Sequence, residues 1–189
     1  CRKEYMHLSK LCLNAKQINA LGYDCIIVGS DEVWNYKDNK GNSQVKFGIG
    51  LDCPNLIAYA PSVGQSDGSD MPAYVKEGIS RFKALSARDE LTTNLVEDIT
   101  KAVPTQVLDP TFLIDFPKAS VKKTKRPYLV FYYCENLNEE IKNQIIRYAK
   151  EHNMDVYGAG ECDKRYSDVT VKLTPFEWIS MFRDAEFVF

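Results

Sequence analysis

Apolar runs alternate with segments of helical spacing along the first part of the chain. Apolar positions at helical spacing occupy residues 1–22 and end at Gly22, a residue typical of helix C-terminal caps. Residues 23–28 are rich in β-branched side chains and close on a polar loop, which predicts a buried strand. The alternation continues with predicted helices at residues 72–82 and 90–102 and predicted strands at residues 55–60, 83–87 and 105–108. It predicts an α/β fold in which helices cover both faces of a parallel sheet.

Two segments interrupt this alternation. Residues 35–50 are polar and rich in glycine and asparagine, which predicts a loop. Residues 115–127 contain two prolines and a basic run, which is typical of a linker. We therefore place a first domain at residues 1–117, a linker at 118–127 and a second domain at 128–189.

The second domain repeats the α/β pattern. Strands are predicted at residues 128–133 and 154–157 and in the apolar run that ends the sequence. Asn138 is positioned to cap a helix, and Thr174 begins a capping box that is completed by Glu177.

Composition narrows the functional classes. With 44% apolar residues the chain is an ordinary globular protein, and 24 Lys and Arg against 26 Asp and Glu give no basic surface for nucleic acid. The six cysteines show no C-x-x-C pair and no metal-ligand spacing, which indicates a reduced, cytoplasmic chain without a metal site. Cys25 and Cys134 lie in apolar runs and are expected in the core. No apolar run is long enough to cross a membrane.

Candidate chemistry lies in the loops that follow the predicted strands, because ligands of open parallel sheets bind at the carboxyl ends of the strands. Each of these residues also has a local interpretation: Asp31 or Asp109 as a helix cap or turn residue, Trp34 as a core aromatic, and Arg88 and Asp89 as a solvated pair. The glycine turn at 158–160 could cradle a phosphate, although it lacks a third glycine and a helix directly behind it. The strand-end candidates are Ser30, Asp31, Trp34, Asn35, Ser62, Gly64, Arg88, Asp89, Asp109, Gly158 and Gly160.

Several of these loops resemble, in order and spacing, the motifs of the polysaccharide pyruvyl transferase family. The residues concerned are 23–35 (YDCIIVGSDEVWN), 59–64 (YAPSVG), 85–89 (LSARD) and 108–111 (LDPT), with 182–188 (FRDAEFV) similar to the approach to the last motif. The resemblance implies two Rossmann-like domains arranged as in GT-B glycosyltransferases. It also implies that the chain is truncated at both ends, holding the C-terminal part of the first domain and the N-terminal part of the second, and is inactive alone.

The sequence departs from the family pattern at a few motif positions. Glu32 stands where the family usually has glutamine, Pro61 and Val63 stand where alanine and phenylalanine are frequent, and Asp89 stands where glutamate is frequent. The family's strand-and-glycine region is expected before residue 1, and a Ser-Phe-His-Gly-like stretch is expected after Phe189.

The activity that the resemblance implies is transfer of the enolpyruvyl group of phosphoenolpyruvate to a sugar as a ketal, without a cofactor or a metal. Such a reaction needs groups that move protons, and Asp31 and Asp89 are the candidates. Arg88 either pairs with an anion or points inward to hold Asp31 or Asp109. Trp34 either stacks on a sugar or plugs the loop against the sheet. The remaining strand-end residues are candidates for substrate binding, with Asn35 and Ser62 contacting sugar hydroxyls.

Two other functions remain open from the sequence. One is a GT-B-type glycosyltransferase that uses a nucleotide sugar, and the other is a non-catalytic sugar-binding remnant. For the pyruvyl transferase, the expected partners are phosphoenolpyruvate and a sugar or lipid-linked precursor of an envelope or exopolysaccharide. The expected location is the cytoplasm, compatible with peripheral contact at the inner face of the membrane.

Overall fold

The computed structural model describes residues 6–38, 43–119, 126–132, 137–160, 163–168 and 173–189, and it confirms a mixed α/β fold with parallel sheets. The strands are β1 (Ile26–Val28), β2 (Leu56–Ala58), β3 (Ala84–Ala87), β4 (Thr105–Gln106), β5 (Tyr128–Tyr132), β6 (Asp155–Ala159), β7 (Ser167–Asp168) and β8 (Phe187–Val188). The helices are α1 (Ala15–Asn19), α2 (Ala73–Ile79), α3 (Glu90–Thr100), α4 (Glu139–Glu151) and α5 (Pro175–Arg183), and short 3₁₀ helices occupy Gln44–Phe47 and Pro110–Leu113.

The chain folds as two compact units, Ser9–Ile114 and one that contains Asp115–Phe189. The first sheet has the order β1-β2-β3-β4 and the second has the order β7-β6-β5-β8, and the strand pairs in both are parallel. The greater part of the expected linker, residues 120–125, lies outside the described residues, and the domain bounds at residues 117 and 128 stay a prediction.

The core of the first unit lies on one face of its sheet. Ile26 and Val28 of β1 pack into this core, whereas Ile27 between them points to the other face and is 64% exposed. The fully buried members of the core include Trp34, Phe47, Val63, Val75, Ile79 and Val96.

The predicted loop at residues 35–50 contains regular structure. The 3₁₀ helix Gln44–Phe47 buries Phe47 in a stacked contact with Trp34, and Gly48 ends it in a left-handed conformation, with φ of 83°. The Arg81 guanidinium donates to the carbonyl oxygens of Gly48 and Leu51, at 2.7 and 2.6 Å. Two buried aromatic residues, Tyr36 and Phe47, thus anchor this largely polar segment in the core, which the composition of the segment did not indicate.

The second unit has helices on both faces of its sheet. Ile145 and Ala149 of α4 pack against Leu129 and Phe131 of β5, whereas Met181 of α5 packs with Val130 on the opposite face. The predicted helix starts are confirmed: the Asn138 side chain accepts from the Glu140 N–H, and Thr174 and Glu177 form the reciprocal capping box.

Two predictions for the amino-terminal region were wrong. The helix expected over residues 1–22 is short and spans Ala15–Asn19, capped by Asn14, while residues 1–5 lie outside the described residues. Cys25 is exposed and not in the core, because it precedes β1 and is not part of it. Cys134 lies outside the described residues.

Candidate functional site

The loops after β1, β2, β3 and β4 meet at one edge of the first sheet. Parallel strands bring their carboxyl ends together, so Asp31, Ser62, Arg88 and Asp109 each follow a strand at this edge. The backbone joins the first two loops directly, since the Ser62 N–H donates to the Asp31 carbonyl oxygen at 2.8 Å. These four sequence-predicted residues of the first unit therefore lie at one edge of the sheet.

Arg88 forms the centre of this strand-end cluster, which we define as Ser30, Asp31, Arg88 and Asp109. One guanidinium nitrogen of Arg88 lies 3.0 Å from Asp31 Oδ1, and the other lies 3.0 Å from Asp109 Oδ2. The sequence left two roles open for Arg88: binding an anionic ligand, or pointing inward to hold Asp31 or Asp109. The geometry matches the inward role, and Arg88 holds both carboxylates. One cation between two anions leaves the cluster with a net negative charge.

Hydrogen bonds hold the Asp109 carboxylate in its charged form. Its Oδ1 accepts from the backbone N–H and the hydroxyl of Thr111, at 3.0 and 2.8 Å, and the Ser30 hydroxyl and Arg88 add further bonds. Together these bonds, those from Thr111 foremost, lower the pKa of Asp109 below its ordinary value. Asp109 is only 23% exposed, so it acts as a fixed support for Arg88.

The lowered pKa of Asp109 predicts a specific acid dependence of stability. A carboxyl group with a pKa lower in the folded than in the unfolded state stabilises the fold above its ordinary pKa, and this contribution disappears as the pH falls through the folded-state pKa. We expect Asp109→Asn to reduce the free energy of unfolding by about 1 kcal/mol at pH 7, and the difference from wild type to shrink below about pH 4. Urea unfolding at several pH values measures it.

The exposed Asp52→Asn variant is the control for this measurement, because the Asp52 side chain lies outside the cluster. Wild type and Asp109→Asn could also differ in their free energy of unfolding by the same amount at neutral and at acid pH. That result would contradict the electrostatic role of Asp109.

Asp31 is the most accessible acid of the cluster. Its side chain is 85% exposed, and its backbone adopts a left-handed conformation with φ of 61°, which is uncommon outside glycine. Arg88 holds Oδ1, whereas Oδ2 takes no hydrogen bond from the residues that the structure describes. A carboxylate with one oxygen fixed and the other open is suited to exchanging a proton with a ligand.

Asp89 caps the helix that follows it. Its Oδ1 accepts from the N–H and the hydroxyl of Thr92, at 2.8 and 2.7 Å, at the start of α3. These contacts make Asp89 the N-terminal cap of α3, and not the solvated partner of Arg88 that was the local interpretation of Asp89. Asp89 is also half-buried, whereas Asp31 is exposed. We therefore retain Asp31 as the proton-transfer candidate and assign Asp89 to the helix end.

Thr92 links the Asp89 cap to the loop after β2. Its fully buried hydroxyl donates to Asp89 and accepts from the Val63 N–H at 2.9 Å. We expect Thr92→Val to destabilise the protein by about 1 to 3 kcal/mol, because the buried Val63 N–H loses its acceptor. Thr92→Ser keeps the hydroxyl and should cost less. Equal unfolding free energies for the two variants, measured by chemical denaturation, would contradict this role.

The loops after β1 and β2 also touch through side chains. Asn35 donates to Glu32 Oε2 at 3.0 Å and accepts from the Ser66 hydroxyl at 3.0 Å, so both ends of its amide are engaged. Gly64 has φ of 59°, and a Cβ there would lie 2.5 Å from Glu32 Oε2. The buried Ser62 hydroxyl accepts from the Gly64 N–H at 3.0 Å, which shapes the turn.

Glu32 is a further candidate that the strand-end residues did not include. It is exposed, and it places a second carboxylate in the loop that carries Asp31. The signal in the sequence was its position directly after Asp31, together with its departure from the family pattern.

Trp34 lies in the core and not at the edge. It is fully buried, its indole N–H donates to the Lys46 carbonyl oxygen at 2.9 Å, and its ring packs against Phe47 and Phe82. The indole has no face open to a sugar, so we assign it to the core and leave it out of the proposed site.

Gly158 and Gly160 belong to the second unit. Gly158 is buried inside β6, between Phe131 of β5 and Asp168 of β7. Gly160 follows the strand in a conformation with φ of 102°. The strand therefore runs two residues further than the predicted end at Tyr157, so of the expected turn at 158–160 only Gly160 follows the strand.

Two features of the described residues bear on the class of site. The acidic, histidine and cysteine side chains among them form no group of three that could hold a metal ion. The helices in the same ranges are too short or too polar to cross a membrane.

Comparison with known proteins identifies the family. The family model described as polysaccharide pyruvyl transferase matches residues 2–189, and this confirms the resemblance of the strand-end motifs. The comparisons with curated proteins and with solved structures found no match. Because the match extends over nearly the whole chain and includes all four loops at the edge of the first sheet, the chain belongs to the polysaccharide pyruvyl transferase family.

Proposed function

We propose that the full-length protein transfers the enolpyruvyl group of phosphoenolpyruvate to a sugar of an envelope or exopolysaccharide precursor. The sugar hydroxyls add to the central carbon of the donor, phosphate leaves, and the product is a ketal that bridges two hydroxyls. The family match over residues 2–189 is the observation that carries this proposal.

The charge of the strand-end cluster supports this chemistry. Protonation of the terminal carbon of phosphoenolpyruvate creates positive charge on the neighbouring carbon, and a nearby negative charge stabilises it. Asp31 and Asp109 share one guanidinium, so the cluster supplies that charge. Asp31, with one open oxygen, is the group that we propose exchanges the proton.

Arg88 positions Asp31 in this proposal and does not anchor the donor. Both of its terminal nitrogens already bind carboxylates. The phosphate and carboxylate of phosphoenolpyruvate therefore need other N–H donors.

For the acceptor sugar we propose Glu32 as a hydroxyl-binding group at the edge, with Asn35, Ser62 and Gly64 shaping the loops that present it. The proposed reaction uses no cofactor and no metal. We place it in the cytoplasm, on a sugar-linked or lipid-linked precursor, with peripheral membrane contact.

Isotope transfer tests the proposed reaction. The full-length protein is incubated with an envelope polysaccharide precursor and either phosphoenolpyruvate labelled in its carbon skeleton or a labelled nucleotide sugar. We expect label from phosphoenolpyruvate in the acceptor, with release of phosphate. Label from the nucleotide sugar alone would favour the glycosyltransferase, and no transfer together with no binding of phosphoenolpyruvate would favour a non-catalytic protein.

A further inference from the structure

A groove of about 710 Å³ lies in the second unit, beside the first half of β6. The carboxyl end of α4 forms one side of it through Ala149 and Lys150, and the segment around Arg165 forms another. Its location beside the first residues of β6 separates it from the glycine turn at the other end of that strand. The residues that line the groove include none of the strand-end cluster.

Positive charge dominates the lining of this groove. Arg126, Lys150, Lys164 and Arg165 all line it, against the single carboxylate of Asp155. These cations come from three places in the sequence, so the charge is spread along the groove instead of concentrated at one point.

Ion pairs fix the two guanidinium groups. Arg126 binds Asp155 and donates to Asn153 Oδ1 at 3.2 Å. Arg165 binds Asp163 and also reaches a carboxylate oxygen of Glu139 at 3.0 Å. Both arginines are thus held in place before any ligand arrives, which lowers the entropy cost of binding.

The two lysines are available to a ligand. Lys150 and Lys164 are exposed, and neither ammonium group has an ion pair or a hydrogen bond with the residues that the structure describes. An anion that enters the groove can therefore bind them without breaking a contact to any of the residues that the structure describes.

The surroundings favour an extended anion over a compact phosphate. The groove lies at the carboxyl end of α4, where the helix dipole is negative and opposes a concentrated negative charge. Tyr157 and Tyr166 add ring surfaces to the lining, and Asn153 and Asp155 add polar groups that can bind hydroxyls. Dispersed cations, rings and hydroxyl-binding groups together match a chain of acidic sugars.

We propose that this groove binds an acidic polysaccharide, with carboxylates of the sugar chain on Lys150 and Lys164. The inference goes beyond the proposed transfer reaction and does not depend on it, because the groove shares no residue with the strand-end cluster. A second contact with a polymer retains the chain near the protein between reaction events.

Binding of a defined acidic oligosaccharide tests the inference. The full-length protein is titrated calorimetrically at low ionic strength with oligogalacturonate, with its fully methyl-esterified form and with inorganic phosphate. We expect oligogalacturonate to bind and the uncharged ester not to bind. The double variant Lys150→Gln, Lys164→Gln should weaken binding by about five- to tenfold, because two exposed charge pairs are lost. Lys76→Gln, an exposed lysine on α2, is the matched control.

Each other outcome overturns the proposal. Unchanged affinity in the double variant would place the ligand elsewhere, and inorganic phosphate binding as tightly as the oligosaccharide would indicate a simple anion site. No binding of oligogalacturonate would reject the groove as a sugar-binding surface. Since these titrations measure no turnover, their result is independent of whether pyruvyl transfer is found.

Discussion

Replacing Asp31 with asparagine is expected to lower turnover by about a hundredfold or more, because amide nitrogen and oxygen cannot exchange a proton as a carboxylate does. Asparagine keeps the size of the side chain and an oxygen that can still accept from Arg88. The turnover of both proteins is measured as the steady-state release of phosphate by the full-length protein, with phosphoenolpyruvate and a saturating acceptor.

Asp67→Asn is the matched control, since Asp67 is also an exposed carboxylate paired with a cation, Lys37, at 2.7 Å. It lies outside the strand-end cluster, so its turnover should remain close to that of the wild type. A purely structural role for Asp31 would give unchanged turnover in a folded Asp31→Asn protein, and that result would remove Asp31 from the mechanism.

Gly29→Ala should destabilise the protein by at least about 3 kcal/mol, and this is the largest stability effect that we expect. Gly29 has φ of 142°, a conformation that is open to glycine alone, and an added Cβ would lie 1.9 Å from the Tyr59 carbonyl oxygen. That oxygen belongs to the backbone directly after β2, so rotation of a side chain cannot relieve the contact. Chemical denaturation of the two proteins measures the loss.

Gly22→Ala separates the two causes of this loss. Gly22 also has a positive φ, of 68°, but a Cβ there meets nothing within 4 Å. It should therefore show only the cost of the left-handed conformation, about 1 to 2 kcal/mol. If both variants lost the same free energy of unfolding, the contact of the added Cβ with the Tyr59 carbonyl oxygen would contribute nothing to the loss in Gly29→Ala.

Periodicity and turn chemistry predicted the order of the elements because both act locally. The β-branched run before Gly29 becomes β1, and the capping box at Thr174 begins α5 where it was expected. The convergence of Asp31 and Arg88 was also predictable, because all parallel strands end at the same edge of the sheet.

Tertiary contacts decided what the sequence left open. Whether Arg88 binds a ligand or its own carboxylates depends on where Asp109 lies, and that position is set by the pairing of β3 with β4, two strands that α3 separates in the sequence. Trp34 was equally ambiguous, since an indole suits both a core and a sugar site, and its burial follows from Phe47 in a segment that looks polar. For Asp89 the sequence offered a proton-transfer group or a solvated partner of Arg88, and the structure shows a helix cap that binds Thr92.

A crystal structure of the full-length protein with phospholactate, an unreactive analogue of phosphoenolpyruvate, tests most directly the claim that transfer occurs at the edge formed by β1 to β4. We predict that the analogue lies at this edge, with its three-carbon unit within about 3.2 Å of Asp31 Oδ2 or joined to it through one water. An analogue bound with Asp31 beyond that reach, and in contact with none of the loops after β1 to β4, would contradict the assignment.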